Sequence, residues 1–164
     1  MLISSENDME NLTEEIIRHR DGSVLLKTSI LKAEHFPLQP TDPTSICING
    51  APNFRRTPWN ICGVAQPSIT GFASIHKLFS HIPNKGQGPV WFCIRDEPVV
   101  YLDGMPFVLR ESQQPLQNMR AFSGISSSRV ENLESRLVQD IASEIKVNNG
   151  LTVIHEEHGI TSID

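Results

Sequence analysis

Three patterns point to an α/β fold. Apolar runs short enough for strands alternate with two amphipathic helical stretches, and an Asp-Gly pair sits between two β-rich segments. At 164 residues and 18.3 kDa the chain has the size of one domain. That is long enough to bury a core without disulfide or metal staples. With 38% of residues hydrophobic, the composition is that of an ordinary globular domain, far from disordered or collagen-like chains.

Residues 1–21 read as a polar leader, expected to be flexible, with at most a short helix around residues 12–20. Asp21-Gly22 is a turn signal, and the apolar-rich stretch 24–31 follows as strand or hairpin. Between Phe36 and Pro43, the prolines at 37, 40 and 43 exclude regular structure. Gly50-Ala51-Pro52-Asn53 and Thr57-Pro58 then frame Arg55 and Arg56, as expected of a loop.

Ser68 is a candidate N-cap for a helix marked by Ile69, Phe72, Ile75, Phe79 and Ile82, which Pro83 ends. Gly86-Gln87-Gly88-Pro89 is a breaker, not a dinucleotide fingerprint, because a strand pattern follows it. Val90-Trp91-Phe92-Cys93-Ile94 has the unbroken apolar character of a strand buried on both faces. Val99 to Leu102, Asp103-Gly104 and Met105 to Leu109 form a hairpin. Ser128-x-x-Glu131 is a capping box opening an amphipathic helix through Val130, Leu133, Leu137, Ile141 and Ile145. Asn148-Asn149-Gly150 ends it, and Leu151 to Ile154 reads as another buried strand.

Charge is unevenly spread. Residues 1–49 carry 4 basic and 8 acidic side chains, residues 50–120 carry 7 and 4, and residues 121–164 carry 3 and 7. An acidic chain with a locally basic middle lacks the broad basic face of a nucleic-acid binder, but leaves room for one focused anion site. Nothing approaches a run of ~18 apolar residues, so no membrane span is expected. The acidic N-terminus does not have the order of a signal peptide. Cys47, Cys62 and Cys93 include no CxxC and are odd in number, which fits reduced thiols and a cytoplasmic location.

The residue patterns limit the chemistry. His155-Glu156-Glu157-His158 has its histidines three apart at a strand end, so a solvated polar loop is the better reading than a metal cluster. No Gly-x-Ser-x-Gly elbow or Walker loop occurs. Cysteine phosphatases place an arginine six residues after the nucleophile, around a single phosphate. Here the sixth residues after the three cysteines are Asn53, Ser68 and Val99. Cys62 and Cys93 lie in apolar company, where thiols are usually inert. The arginines remain. Arg55 and Arg56 lie in the framed loop, and Arg95 directly follows an apparent central strand, where α/β sheets bind ligands. Guanidinium groups bind phosphate bidentately. The plainer alternative pairs Arg95 with Asp96, Glu97 or another carboxylate.

Ordered blocks carry a resemblance. Gly22-Ser-Val-Leu25, Ile30-Leu-Lys-Ala-Glu-His-Phe36, Gly50-Ala-Pro-Asn-Phe-Arg55 and Gly63-Val-Ala-Gln-Pro67 come in that order. They lead to Trp91-Phe-Cys-Ile-Arg-Asp-Glu-Pro-Val-Val-Tyr-Leu-Asp-Gly104 and Pro106-Phe-Val-Leu-Arg110. Gly124-Ile125, Arg129-Val-Glu131 and Glu134-Ser-Arg-Leu137 close the series. Over residues 22–147 this resembles the paladin family, whose repeats are similar to the cysteine-dependent, protein-tyrosine-phosphatase-like inositol phosphate phosphatases (phytases).

The resemblance implies that residues 22–164 form a partial phosphatase domain, a mixed sheet flanked by helices and incomplete. It also implies a phosphorylated ligand, inositol phosphate or phosphoprotein, and no cofactor or metal. Arg55 and Arg95 are the substrate-binding candidates it implies. No catalytic residue is carried over, because the family's Cys-Gln-Met-Gly-Arg-Gly-Arg-like loop and its general-acid loop lie downstream of this region. The chain departs from the family at Ile94, Asp96 and Met105, where leucine, glutamate and arginine are commoner. The expectation is the front part of a phosphatase-like protein that binds phosphate and is inactive alone. The alternative is a pseudophosphatase scaffold without a phosphate ligand.

Overall fold

The computed structural model describes residues 6–34, 46–59, 61–80, 89–156 and 159–163. The proline-rich stretch 36–43, Ile82 with Pro83, the Gly86 to Gly88 breaker, and Glu157 with His158 lie outside the described residues. The chain forms two compact units. The first comprises Met1–Ala33, Asp96–Val100 and Phe107–Asp164, and the second comprises Glu34–Arg95 and Tyr101–Pro106.

In chain order the elements are α1 (Glu6–His19), β1 (Ser29–Ala33), β2 (Arg55–Arg56), β3 (Cys62–Gly63), α2 (Ile69–Ser80), β4 (Val99–Leu102), β5 (Met105–Glu111), a 3-10 turn (Arg120–Phe122), α3 (Ser127–Val147), β6 (Thr152–Glu156) and β7 (Gly159–Ile163). The main sheet has the order β4-β5-β1-β6-β7. β1 runs parallel to β6 and antiparallel to β5, and β6 is antiparallel to β7. The fold is therefore mixed α/β with a mixed sheet and helices, as expected.

The sheet's pairing explains what is buried in the first unit. Ile30 and Val153, on neighbouring strands, pack with Ile16 of α1, and Leu12, Ile17 and Leu151 close around them. The leader is thus helical over 14 residues and contributes to a core, where the sequence suggested at most a short helix in a flexible segment.

Two buried ion pairs lie within this unit. Arg20 donates from Nε to Glu144 Oε2 at 2.6 Å and from Nη2 to Oε1 at 3.0 Å. It also donates to the carbonyls of Ser29 and Val153, at 2.7 and 3.2 Å. Glu144 further accepts from the Thr152 hydroxyl at 2.6 Å. Arg110 on β5 pairs with Glu97, both buried.

Several local expectations shift by a few residues. The stretch 24–31 becomes strand only from Ser29, because Asp140 takes the N–H groups of Val24 and Leu25 (2.6 and 3.0 Å) that a ladder would need. The Ser128 capping box is not used. The N-cap is Ser126, two residues earlier, so Glu131 does not occupy the third helical position, which falls to Arg129. The Asp-Gly hairpin forms as expected: Asp103 and Gly104 both have positive φ, 47° and 76°, the type I′ pattern. β7 has no counterpart in the sequence reading, and His155 lies within β6, paired with Ile160, rather than in a polar loop.

Residues 90–94 are not a buried strand. They have no regular structure, Phe92 is 82% exposed and Ile94 96%, and no described strand pairs with them. An apolar run specifies a central strand only where neighbours exist on both sides. Trp91 instead rests on Phe72 of α2, ring centroids 4.6 Å apart.

Two predictions follow from the carboxylates of the first unit. Glu144→Ala strands the Arg20 charge in the interior and should cost about 3–5 kcal/mol of unfolding free energy. The Arg20→Met, Glu144→Leu double variant should recover much of it, and urea titration of both variants checks this. For Asp140, burial works against ionisation, but the N–H groups of Leu25, Val24 and Ser23 and the Ser23 hydroxyl outweigh it and hold the carboxyl below its ordinary 3.8. The folded value lies below the unfolded one, so this stabilisation is complete above about pH 4 and is lost as pH falls through the folded value. Asp140→Asn should lower stability at pH 7 by about 1–3 kcal/mol and flatten its decline in acid, as measured by unfolding curves across pH.

Candidate functional site

The second unit carries both candidate arginines. Its core is Ala51, Phe54 and Ile75, with Ile48, Cys62, Val64 and Phe79 against it. Cys62 thus behaves as a packing residue, whereas Cys93 is exposed and does not sit in the apolar company expected of it. All three thiols are free.

α2 starts where the sequence suggests. Ser68 Oγ accepts from Gly71 N at 3.1 Å and donates to Gly50 O at 3.2 Å, while Ile69 N donates to Gly104 O at 2.9 Å. Gly71 has no room for a side chain, because a Cβ there would collide with the Gly50 carbonyl. Gly50, at φ 73°, turns the chain at this contact. The result fixes the segment that leads from Gly50 into β2.

Arg55 and Arg56 lie on β2, paired in antiparallel register with Gly63 and Cys62. Both are exposed, in a short ribbon rather than an irregular loop. The Arg55 side chain lies across Gly63: a Cβ on that glycine would meet Arg55 Nε at 3.3 Å.

Arg95 does not end a strand, because the segment before it is irregular. Its Nη2 donates to Glu34 Oε2 at 2.5 Å, with side chains 24% and 12% exposed. The carboxylate is neither of the nearby acids. Asp96 accepts a long bond (3.4 Å) from Gly124 N, and Glu97 is committed to Arg110. Glu34 was not singled out in the sequence, although it lies in the ordered block beginning at Ile30. Both candidate arginines thus belong to one unit, one of them in an ion pair with a carboxylate.

A shallow apolar hollow of about 440 Å³ lies in the same unit, lined by Ile46, Cys47, Ile48, Ser74, Lys77 and Leu78. Neither Arg55 nor Arg95 lines it. Among the described residues no cluster of three or more His, Cys, Asp or Glu could hold a metal, and no helix is long and apolar enough to cross a membrane.

The family model of protein-tyrosine-phosphatase-like phytases, described as "Inositol hexakisphosphate", matches residues 92–162. Arg95 falls inside that match and Arg55 outside it. That match and the mixed sheet with its helices support a phosphatase-like domain. Paladin of Xenopus tropicalis is 35% identical over 105 residues, 60% of this chain and 11% of that protein. Paladins of Gallus gallus and Homo sapiens are 28% and 31% identical over 114 and 99 residues, covering 66% and 56% of this chain. The chain is similar to these paladins over about 60% of its length. The matched segment spans only 11–13% of the length of these relatives. No solved structure matches.

The Gly50–Gly71 contact yields a prediction for the scaffold of this unit. Gly71→Ala forces the carbonyl and helix apart and should cost about 3 kcal/mol, whereas Ser74→Ala on the same helix should cost less than about 0.5 kcal/mol. Thermal melts of the two variants make the comparison.

Proposed function

We propose that this chain is a phosphate-binding portion of a phosphatase-like protein, corresponding to the front of one phosphatase repeat and not hydrolysing its ligand on its own. The supporting observation is Arg95: a partly exposed guanidinium inside the segment that matches the phytase family, held by a carboxylate that an anion can replace. Arg55, exposed on β2, is the second proposed contact. Guanidinium donors match phosphate oxygens in pairs and stay charged at any physiological pH. Hydrolysis by the family's route needs a thiolate with an arginine six residues on, and none of the three cysteines has one.

The competing reading is a scaffold without a phosphate ligand, favoured by the fact that Arg95 already has Glu34 as a partner. The two readings differ in what Glu34 does. If Glu34 competes with the ligand, its removal strengthens binding. If the pair only fastens the fold, its removal weakens the fold and leaves ligand response absent.

Titration with inositol hexakisphosphate, followed by thermal melting, should raise the midpoint. Arg95→Ala should abolish most of that rise, and Glu34→Gln should tighten binding by about threefold to tenfold. Identical melts with and without ligand in all three proteins would support the scaffold. Phosphate release above background by the chain alone would refute the non-hydrolytic reading.

A further inference from the structure

The ribbon formed by β2 and β3 carries a feature that phosphate binding at Arg95 does not use. Its turn presents Trp59 78% exposed and Ile61 64% exposed. An exposed indole on a free chain end would be unremarkable, but this one is held out. Thr57 N donates to Ile61 O at 2.8 Å, and the Thr57 hydroxyl donates to the same carbonyl at 3.0 Å. The same hydroxyl accepts from Trp59 N at 3.3 Å, and Pro58 restricts the backbone between them. The turn therefore fixes Trp59 in solvent before any partner arrives, which lowers the ordering cost of binding.

Behind this apolar tip stand Arg55 and Arg56. Adjacent strand residues point to opposite faces, so one guanidinium flanks each side of the ribbon. Residues 46–80 hold three cations, Arg55, Arg56 and Lys77, and neither aspartate nor glutamate, so this stretch of sequence is net positive.

Apolar tip first and arginine collar behind it is the depth order of a bilayer interface. Indole partitions at headgroup level, and arginine side chains reach anionic headgroups while their stems lie along apolar surface. An acidic protein partner would match the charge but would also need a pocket shaped for the projecting indole. We infer that the Arg55–Gly63 ribbon docks this chain on anionic lipid bilayers, Trp59 and Ile61 entering the interface and Arg55 and Arg56 pairing with lipid headgroups. This inference does not rest on phosphate binding at Arg95.

The test uses the full chain carrying Trp91→Phe, which leaves Trp59 as the single indole of the two present. Phosphatidylcholine vesicles with and without phosphatidylserine are titrated, following emission wavelength and co-sedimentation. A blue shift and pelleting only with phosphatidylserine, both reversed by high salt, are the expected result. Trp59→Ser should weaken binding by about tenfold and Arg56→Ala by about fivefold, with unchanged far-ultraviolet circular dichroism. Equal binding to neutral vesicles would overturn the inference, as would retention of binding in Trp59→Ser. A blue shift with a polyglutamate peptide and none with either vesicle would assign the ribbon to acidic proteins instead.

Discussion

The first unit depends on one buried ion pair. Arg20, just after α1, and Glu144, near the end of α3, are 124 residues apart and both inaccessible. Neither charge could be left alone in the interior, because an unpaired buried ion costs several kcal/mol. Satisfying both requires the carbonyls of Ser29 and Val153 and the Thr152 hydroxyl to converge, which brings the start of β1 beside the start of β6. The parallel register of Leu31 with Ile154 is the one in which these partners meet. An apolar substitute would also fill the space, but with no directional demand on register. The pair contributes specificity more than net stability.

The same device decides what is left for a ligand. Glu97 is neutralised by Arg110, and Asp140 is spent on the N–H groups of Val24 and Leu25. The acids following Arg95 are therefore structural, and a more distant one, Glu34, restrains it. A cation held this way keeps its charge and orientation while its carboxylate partner stays partly accessible.

Local chemistry was legible in the sequence, and long-range pairing was not. Asp103-Gly104 specifies its own turn, and Ser68 caps α2 whatever surrounds it, so both were readable from a few residues. The 90–94 run carries the composition of a central strand but not the identity of a neighbour, and burial was inferred where none exists among the described residues. Arg95 inherited that error, since its place at a strand end depended on the strand. Glu144 did leave a signal. It lies three residues after Ile141 and seven after Leu137, on the buried stripe of α3, and a carboxylate there requires a cation from elsewhere. What the stripe cannot say is that the cation comes from the residue just past α1.

Electrostatics separates the roles of the two units. The first carries 9 basic and 16 acidic residues, the second 5 and 3. Two of the first unit's arginines, Arg20 and Arg110, are buried against Glu144 and Glu97 of the same unit, so these pairs cancel and its outer charge keeps the net of −7. A polyanion or an anionic surface is repelled there and favoured at the second unit, net +2, where Arg55 and Arg56 are exposed. On the phosphate-binding reading, Glu34 sets a threshold within that unit. A ligand with one negative charge merely exchanges one carboxylate for another anion at Arg95 and gains little. A phosphate dianion gains more, and a ligand bearing several phosphates gains most, because each added negative charge strengthens its attraction to the guanidinium. The carboxylate that competes with the ligand would then discriminate among anions by charge.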